Sequence, residues 1–251
     1  MAIIFGGRSA YLYKKILVVI ISPLAVGIIF AFVWYSNENF LRSLGLLVIV
    51  IGAALIAAEY WIIKNLLEKR FNRINSGLRG EAMVARELKK LPDEFAVFRG
   101  IKVKEHLDAD CAVVGPTGIF VLEVKGHYGE IGFNGYRLTR NGRPVEKDFF
   151  RETSAEAKGL RALIRAVCQV DVYVESAIVF SRAAVRLGPQ KINGSYVIGK
   201  SRLGDFLTGG TRPFNGATVI NLAMALAGAT NEPKKNEKME QFKNAINHLS
   251  L

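Results

Sequence analysis

Residues 106–131 read HLDADCAVVGPTGIFVLEVKGHYGEI, two apolar strand-like runs joined by Gly115-Pro116-Thr117-Gly118. Such runs bounded by turn residues read as an antiparallel hairpin. With Pro116 and Thr117 as the loop, Gly115 opposes Gly118. Counting outward then sets Asp110 opposite Glu123 and Asp108 opposite Lys125. Opposed side chains on one face have Cβ atoms about 5 Å apart, where like charges repel. Glu123 and Lys125, two apart on one strand, project the same way. Two carboxylates and an ammonium group on one patch of sheet pack poorly but suit a divalent cation. A proline-first turn is of the type I sort, which fits a two-residue hairpin badly. A bulge at Gly118 would slip the pairing by one and exchange the faces, so both registers stand at this point.

Half of the 251 residues are hydrophobic, yet the net charge is +12, an odd combination for one soluble domain. The first 63 residues explain it. Ile16 to Tyr35 carries no charge and is long enough to cross ~30 Å of hydrocarbon as a helix. A second apolar run spans 44–63, its Glu59 lying near the far end beside Tyr60 and Trp61, as interfacial residues often do. The first run is long for a signal peptide, lacks a small-x-small cleavage site and is followed by the second, so the pair reads as a membrane hairpin. Arg8, Lys14 and Lys15 precede it, Lys64, Lys69, Arg70 and Arg73 follow it, and the loop between holds Arg42 alone. The positive-inside rule then puts both termini in the cytoplasm, as in a protein of a bacterial inner membrane. Cys111 and Cys168 match no metal-ligand spacing and read as free thiols. From Lys64 onward the chain holds 30 of the 34 Lys and Arg and 20 of the 22 Asp and Glu, a net +10. A basic domain beside a membrane has two natural partners, nucleic acid and anionic headgroups.

Expected elements follow from punctuation and period. Ser76 suits the N-cap of a helix to about Leu91, stopped by Pro92. Leu78, Ala85 and Leu88 share a face of that helix, and Glu81 falls in the same stripe. An acid there needs a partner; taken alone, Glu81 reads as one half of a salt bridge to a buried arginine, or as an acid at the edge of the stripe. Next come a strand at 95–103, the hairpin, an edge strand at 129–138, a turn at 140–144 and a helix at 147–167. Strands at 172–180 and 196–198 and helices at 217–229 and from 234 complete an α/β pattern.

Three segments in this order resemble a known family: Gly77-Leu78-Arg79-Gly80-Glu81, then Asp108-Ala109-Asp110, then Gly115-Pro116-Thr117-Gly118-Ile119-Phe120-Val121-Leu122-Glu123-Val124-Lys125. They are similar to the nuclease-related domain (NERD) of the PD-(D/E)XK superfamily, over about Gly77 to Arg182. The resemblance implies a restriction-endonuclease-like mixed sheet flanked by helices, preceded here by two transmembrane helices. The organisation it implies is a cytoplasmic N-terminus (1–15), transmembrane helices at 16–35 and 44–63 around an external loop (36–43), and a juxtamembrane linker helix (64–76). A NERD nuclease-like domain (77–207) and a C-terminal helical extension (208–251) complete it. It also implies roles: Asp110 and Glu123 as ligands of Mg²⁺ or Mn²⁺, and Lys125 positioning the attacking water or stabilising charge on phosphate. Glu81 would complete the acidic cluster. Two departures stand out. The family usually has His after the metal-site Asp, where this chain has Cys111. Its following helix usually carries Asn-Pro and then Gln, where this chain has Asp148-Phe149 and Glu152. Glu152 and Asp108 are accessory candidates.

The chemistry agrees with the resemblance. Mg²⁺ takes oxygen ligands, usually one or two carboxylates plus water and phosphate oxygens. Arg137, Arg140, Arg143 and Lys147 follow the hairpin, either lining a groove for a polyanion or lying in a solvated loop. No Walker phosphate loop, G-x-S-x-G elbow or C-x-x-C pair is present, and three scattered histidines are too few for a zinc site. The leading expectation is a membrane-anchored nuclease acting on DNA, ahead of RNA, at the cytoplasmic face. The alternatives are a non-catalytic tethered nucleic-acid or protein binding module and a scaffold for anionic lipid.

Overall fold

A computed structural model describes residues 2–5, 76–104, 107–230 and 235–249, with isolated helical positions between 35 and 68. The chain divides into two compact units, Met1–Arg8 with Ser76–Leu251, and Ser9–Asn75. Both expected transmembrane runs and the loop between them fall in the second unit. Apart from single helical positions such as Tyr35, Tyr60 and Trp61, they lie outside the described residues. Among the described residues no helix is long and apolar enough to cross a membrane. The linker 64–75 is described only at Lys64, Asn65 and Glu68, where Lys64 and Glu68 sit 4.0 Å apart.

The first unit opens with strand β1 (Ile3–Phe5), helix α1 (76–88), and strands β2 (Ala96–Lys104), β3 (Leu107–Gly115) and β4 (Gly118–Lys125). Three short strands follow, β5 (Glu130–Phe133), β6 (Leu138–Arg140) and β7 (Arg143–Pro144), then helix α2 (Phe149–Cys168). Strands β8 (Val174–Phe180), β9 (Ala184–Val185) and β10 (Tyr196–Gly199) lead to α3 (Leu203–Thr208), α4 (Gly216–Gly228) and α5 (Lys235–Leu249). The main sheet has the order β1-β2-β3-β4-β8-β10, and a smaller one the order β7-β6-β5-β9. β2, β3 and β4 form an antiparallel meander, while β1 on β2, β8 on β4 and β10 on β8 are parallel. Parallel neighbours need a crossover, and α2 lies in the one from β4 to β8. The fold is therefore α/β, a mixed sheet flanked by helices.

Side-chain alternation along β4 assigns the two faces. Ile119 and Val121 join Leu160 and Ile164 of α2, Leu222 and Leu226 of α4, and Phe242 and Ile246 of α5 in one core. Phe120 and Leu122 join Val84 and Leu88 of α1 and Leu203 and Leu207 of α3 in the other. Burying a side chain such as Phe242 or Ile246 contributes about 1.5–3 kcal/mol. The segment 208–251 thus packs into the central core, within the same compact unit as 76–207. A third cluster, with Phe149, Phe150 and Phe180, fills the space under the small sheet. Both cysteines are free thiols, Cys111 buried and Cys168 half-buried.

Local chemistry departs from expectation in three places. Ser76 is already helical, and its hydroxyl donates to the Gly126 carbonyl (3.2 Å) instead of capping. The single strand expected at 129–138 is split, because the Asn134 side chain accepts from the backbone N–H groups of Tyr136 and Arg137 and turns the chain between β5 and β6. Ile3–Phe5, read as part of a plain N-terminal segment, is an edge strand. Three residues are too short a run to carry a period.

Candidate active site

The β3–β4 ladder runs from Gly115↔Gly118 to Cys111↔Leu122, the register of a two-residue loop. Gly118 adopts φ +145, a conformation side chains rarely take, which lets a proline-first turn close so tightly. Beyond Cys111 the strands part. The Asp110 carboxylate accepts the backbone N–H of Val124 (3.0 Å), a donor that a longer ladder would have used. β4 continues alone beside β8, through Glu123↔Ile178 to Lys125↔Phe180. This opening at the end of the hairpin presents Asp110, Glu123 and Lys125 together.

Helix α2 closes the group from the other side. Asp148 caps it, accepting from the Arg151 N–H (3.1 Å), which fixes the phase of its first turns. Glu152 and Glu156 then follow one turn apart. The Lys125 ammonium bridges Glu123 and Glu152, 3.0 Å from the latter, and lies 4.5 Å over the Phe149 ring. Glu156 is 2% exposed, and its Oε2 has no hydrogen-bond partner.

Four carboxylates around one ammonium leave the site short of positive charge. Burial, and then the Asp110 charge, push Glu123 up to about 7. Burial, and then the charge of Glu123, push Glu156 up to about 9. Asp110 is raised chiefly by burial, against the lowering effect of the Val124 hydrogen bond and Lys125. Burial works to lower Lys125, but Glu123 and Glu152 outweigh it and raise it, so the ammonium stays charged.

Two other expected residues have partners of their own. Glu81 pairs with Arg99 (3.6 Å), and Arg99 opposes Cys111 in the β2–β3 ladder. Burial leads in raising Cys111 to about 12, with the charge of Glu81 a smaller contribution. Asp108 is exposed and opposes Lys102 of β2, because the β3–β4 ladder ends before it can face Lys125. α1 itself is held close to β4. A Cβ on Gly126 would sit 2.5 Å from the Ser76 carbonyl oxygen, and one on Gly80 3.1 Å from the Gly126 Cα.

The donor set suits a hard cation, which seeks carboxylate oxygens and tolerates a shell completed by water and phosphate. A buried carboxylate oxygen without a partner, and carboxyls raised by mutual repulsion, are what an added cation would relieve. As placed, no group of three or more His, Cys, Asp or Glu among the described residues is arranged to hold a metal ion. Two carboxylates suffice for Mg²⁺. Sequence reasoning missed Glu156. Its signal was present, since Phe149, Thr153, Glu156, Leu160 and Ile164 form the buried stripe of α2.

The splayed hairpin thus gathers carboxylates and a lysine at the end of a central strand of an α/β scaffold. Residues 76–181 match the family model described as nuclease-related domain, NERD. The match covers α1, the β2–β4 meander, the small sheet up to β7, α2 and β8. The chain matches no curated protein and no solved structure.

Proposed function

We propose that this chain is a membrane-anchored, divalent-metal-dependent nuclease that hydrolyses phosphodiester bonds of DNA, ahead of RNA. The observation that carries it is the clustering of Asp110, Glu123, Glu152 and Glu156 where β3 and β4 part, with Lys125 bridging Glu123 and Glu152. Asp110 and Glu123 would hold Mg²⁺ or Mn²⁺, which supplies charge neutralisation at phosphate and a bound water of lowered pKa. Lys125 sets a fixed positive charge beside the reacting phosphate, oriented by Glu123 and Glu152. Glu156 holds a proton against Glu123 and keeps that carboxylate in place. Phe149 and the apolar residues behind it keep water from the inner side of the ammonium.

The anchor is the hairpin of 16–35 and 44–63. The charge bias around that hairpin favours both of its ends on the cytoplasmic side of a bacterial inner membrane.

A second reading, a tethered nucleic-acid or protein binding module without catalysis, is favoured by one observation. Lys125 is already neutralised by Glu123 and Glu152. Both readings meet the same experiment. The full chain is incubated with linear DNA, circular DNA and RNA, in Mg²⁺, Mn²⁺ or EDTA, beside Asp110→Asn and Lys125→Ala. The intact chain is needed because a fragment starting after the second apolar run would lack β1. Metal-dependent cleavage lost in both variants is the expected result. A folded protein that binds nucleic acid yet cuts nothing with either metal establishes the binding module instead.

A further inference from the structure

β6 and β7 form a two-residue hairpin through Asn141 (φ 50) and Gly142 (φ 78), and its register sets Arg140 directly opposite Arg143. Like charges so opposed destabilise a strand pair. Neither is neutralised, for among the described residues Arg137, Arg140, Arg143 and Lys147 have no carboxylate in ion-pair range. Arg161, Arg186 and Arg212 of the same unit are paired instead, with Asp171, Glu130 and Glu94. Four cations without an ion pair follow one another between 137 and 147.

That segment adjoins the acidic site. Arg140 Nη1 lies 3.3 Å from His127 Nδ1, and the His127 ring is 5.6 Å from that of Phe149, over which Lys125 sits. A run of positive or donor groups therefore leads from Lys125 through His127 to Arg140 and Arg143. Burial, then the charges of Arg140 and Lys125, hold His127 below the usual imidazole range. An opposed pair of exposed guanidiniums matches two phosphates of one strand better than a single headgroup.

We propose that the β6–β7 hairpin is a clamp for the nucleic-acid backbone, in which Arg140 and Arg143 hold phosphates neighbouring the one placed at Lys125. This rests on the nuclease-like reading of the site but is tested apart from it. Fluorescence anisotropy of labelled single- and double-stranded oligonucleotides is recorded with the full chain in detergent and EDTA, over a series of salt concentrations. Each phosphate contact contributes roughly 0.7–0.9 to the slope of log affinity against log salt. The R140A/R143A variant is expected to lower that slope by about 1.4–1.8 and to weaken binding at least tenfold at about 0.1 M salt. The variant R161A/R212A, which removes two paired arginines, is expected to bind within about twofold of the parent.

Equal losses in both variants, or an unchanged slope in R140A/R143A, would overturn the clamp. So would binding of phosphatidylserine vesicles, lost in R140A/R143A, by a chain that binds no oligonucleotide. Melting curves of each variant identify any that fail to fold, and R140K/R143K, which keeps the charge, is expected to restore most of the slope. Binding through the hairpin by a protein that never cleaves would keep the clamp and remove the nuclease. Cleavage with unaltered binding in R140A/R143A would do the reverse.

Discussion

Replacing Glu156 by Gln keeps the shape of a buried carboxyl and removes its titration. Glu156 is 2% exposed, faces Glu123, and is raised from 4.5 to about 9. The folded protein therefore binds a proton that the unfolded chain has already lost over that interval. Stability must fall as pH rises from about 4.5 toward 9, because only the unfolded state ionises freely there. The full displacement corresponds to about 6 kcal/mol at 1.36 kcal/mol per pH unit. Glu156, Glu123 and Asp110 repel one another, so removing one acid relieves part of a shared penalty; half of it is about 3 kcal/mol. For a domain of this size that is a melting temperature lower by roughly 6–12 °C at pH 9 than at pH 5. In EDTA, Glu156→Gln is expected to melt with the parent at pH 5 and well above it at pH 8–9. Thermal unfolding followed by circular dichroism over this pH range reads both curves. Parallel curves, or a variant less stable than the parent at high pH, would show that Glu156 is not held protonated against Glu123.

Three further outcomes follow from the same geometry. Glu152→Gln leaves the Lys125 ammonium on Glu123 alone and sets an amide where the resembled family has one; cleavage measured at saturating Mg²⁺ is expected to persist or rise. A loss of more than about tenfold, some 1.4 kcal/mol of barrier, would make the acid itself necessary. Glu81→Gln breaks the contact with Arg99 beside Cys111, so cleavage should change by less than about tenfold in the same assay. Gly126→Ala drives a methyl to 2.5 Å from the Ser76 carbonyl oxygen, and chemical denaturation should show a loss of about 1–3 kcal/mol as α1 is pushed from β4.

The hairpin was legible because two short-range signals agree on it. Apolar runs of matched length flank a Gly-Pro-Thr-Gly turn, and the observed ladder is the one that this loop sets. What could not be read was where the ladder ends. Asp110 withdraws the Val124 N–H from backbone pairing, a competition between side chain and main chain that no period reports. Asp108 was placed opposite Lys125 for that reason, when the parting of the strands leaves it against β2. β1 was hidden differently. Three residues lying more than seventy positions from α1 gain strand status only from the β2 edge they cover.

The acidic cluster shows how one rule gave two results. An acid on the buried stripe of a helix marks a charge that needs a partner, and the rule singled out Glu81 because Leu78, Ala85 and Leu88 frame it. Applied to α2, it selects Glu156 between Thr153 and Leu160 with equal force. The two helices differ in what the sheet offers beneath them. α1 lies over Cys111 and Leu122, where Arg99 supplies a cation from the same ladder, and Glu81 becomes half of an ordinary ion pair. α2 lies over the face of β4 that carries Ile119, Val121 and Glu123, where the near charges are acids and Lys125 is shared already. An unbalanced acid, rather than a buried one, marks the chemistry here. That balance depends on strand alternation across β3 and β4 as much as on helical period, so both must be read together to find it.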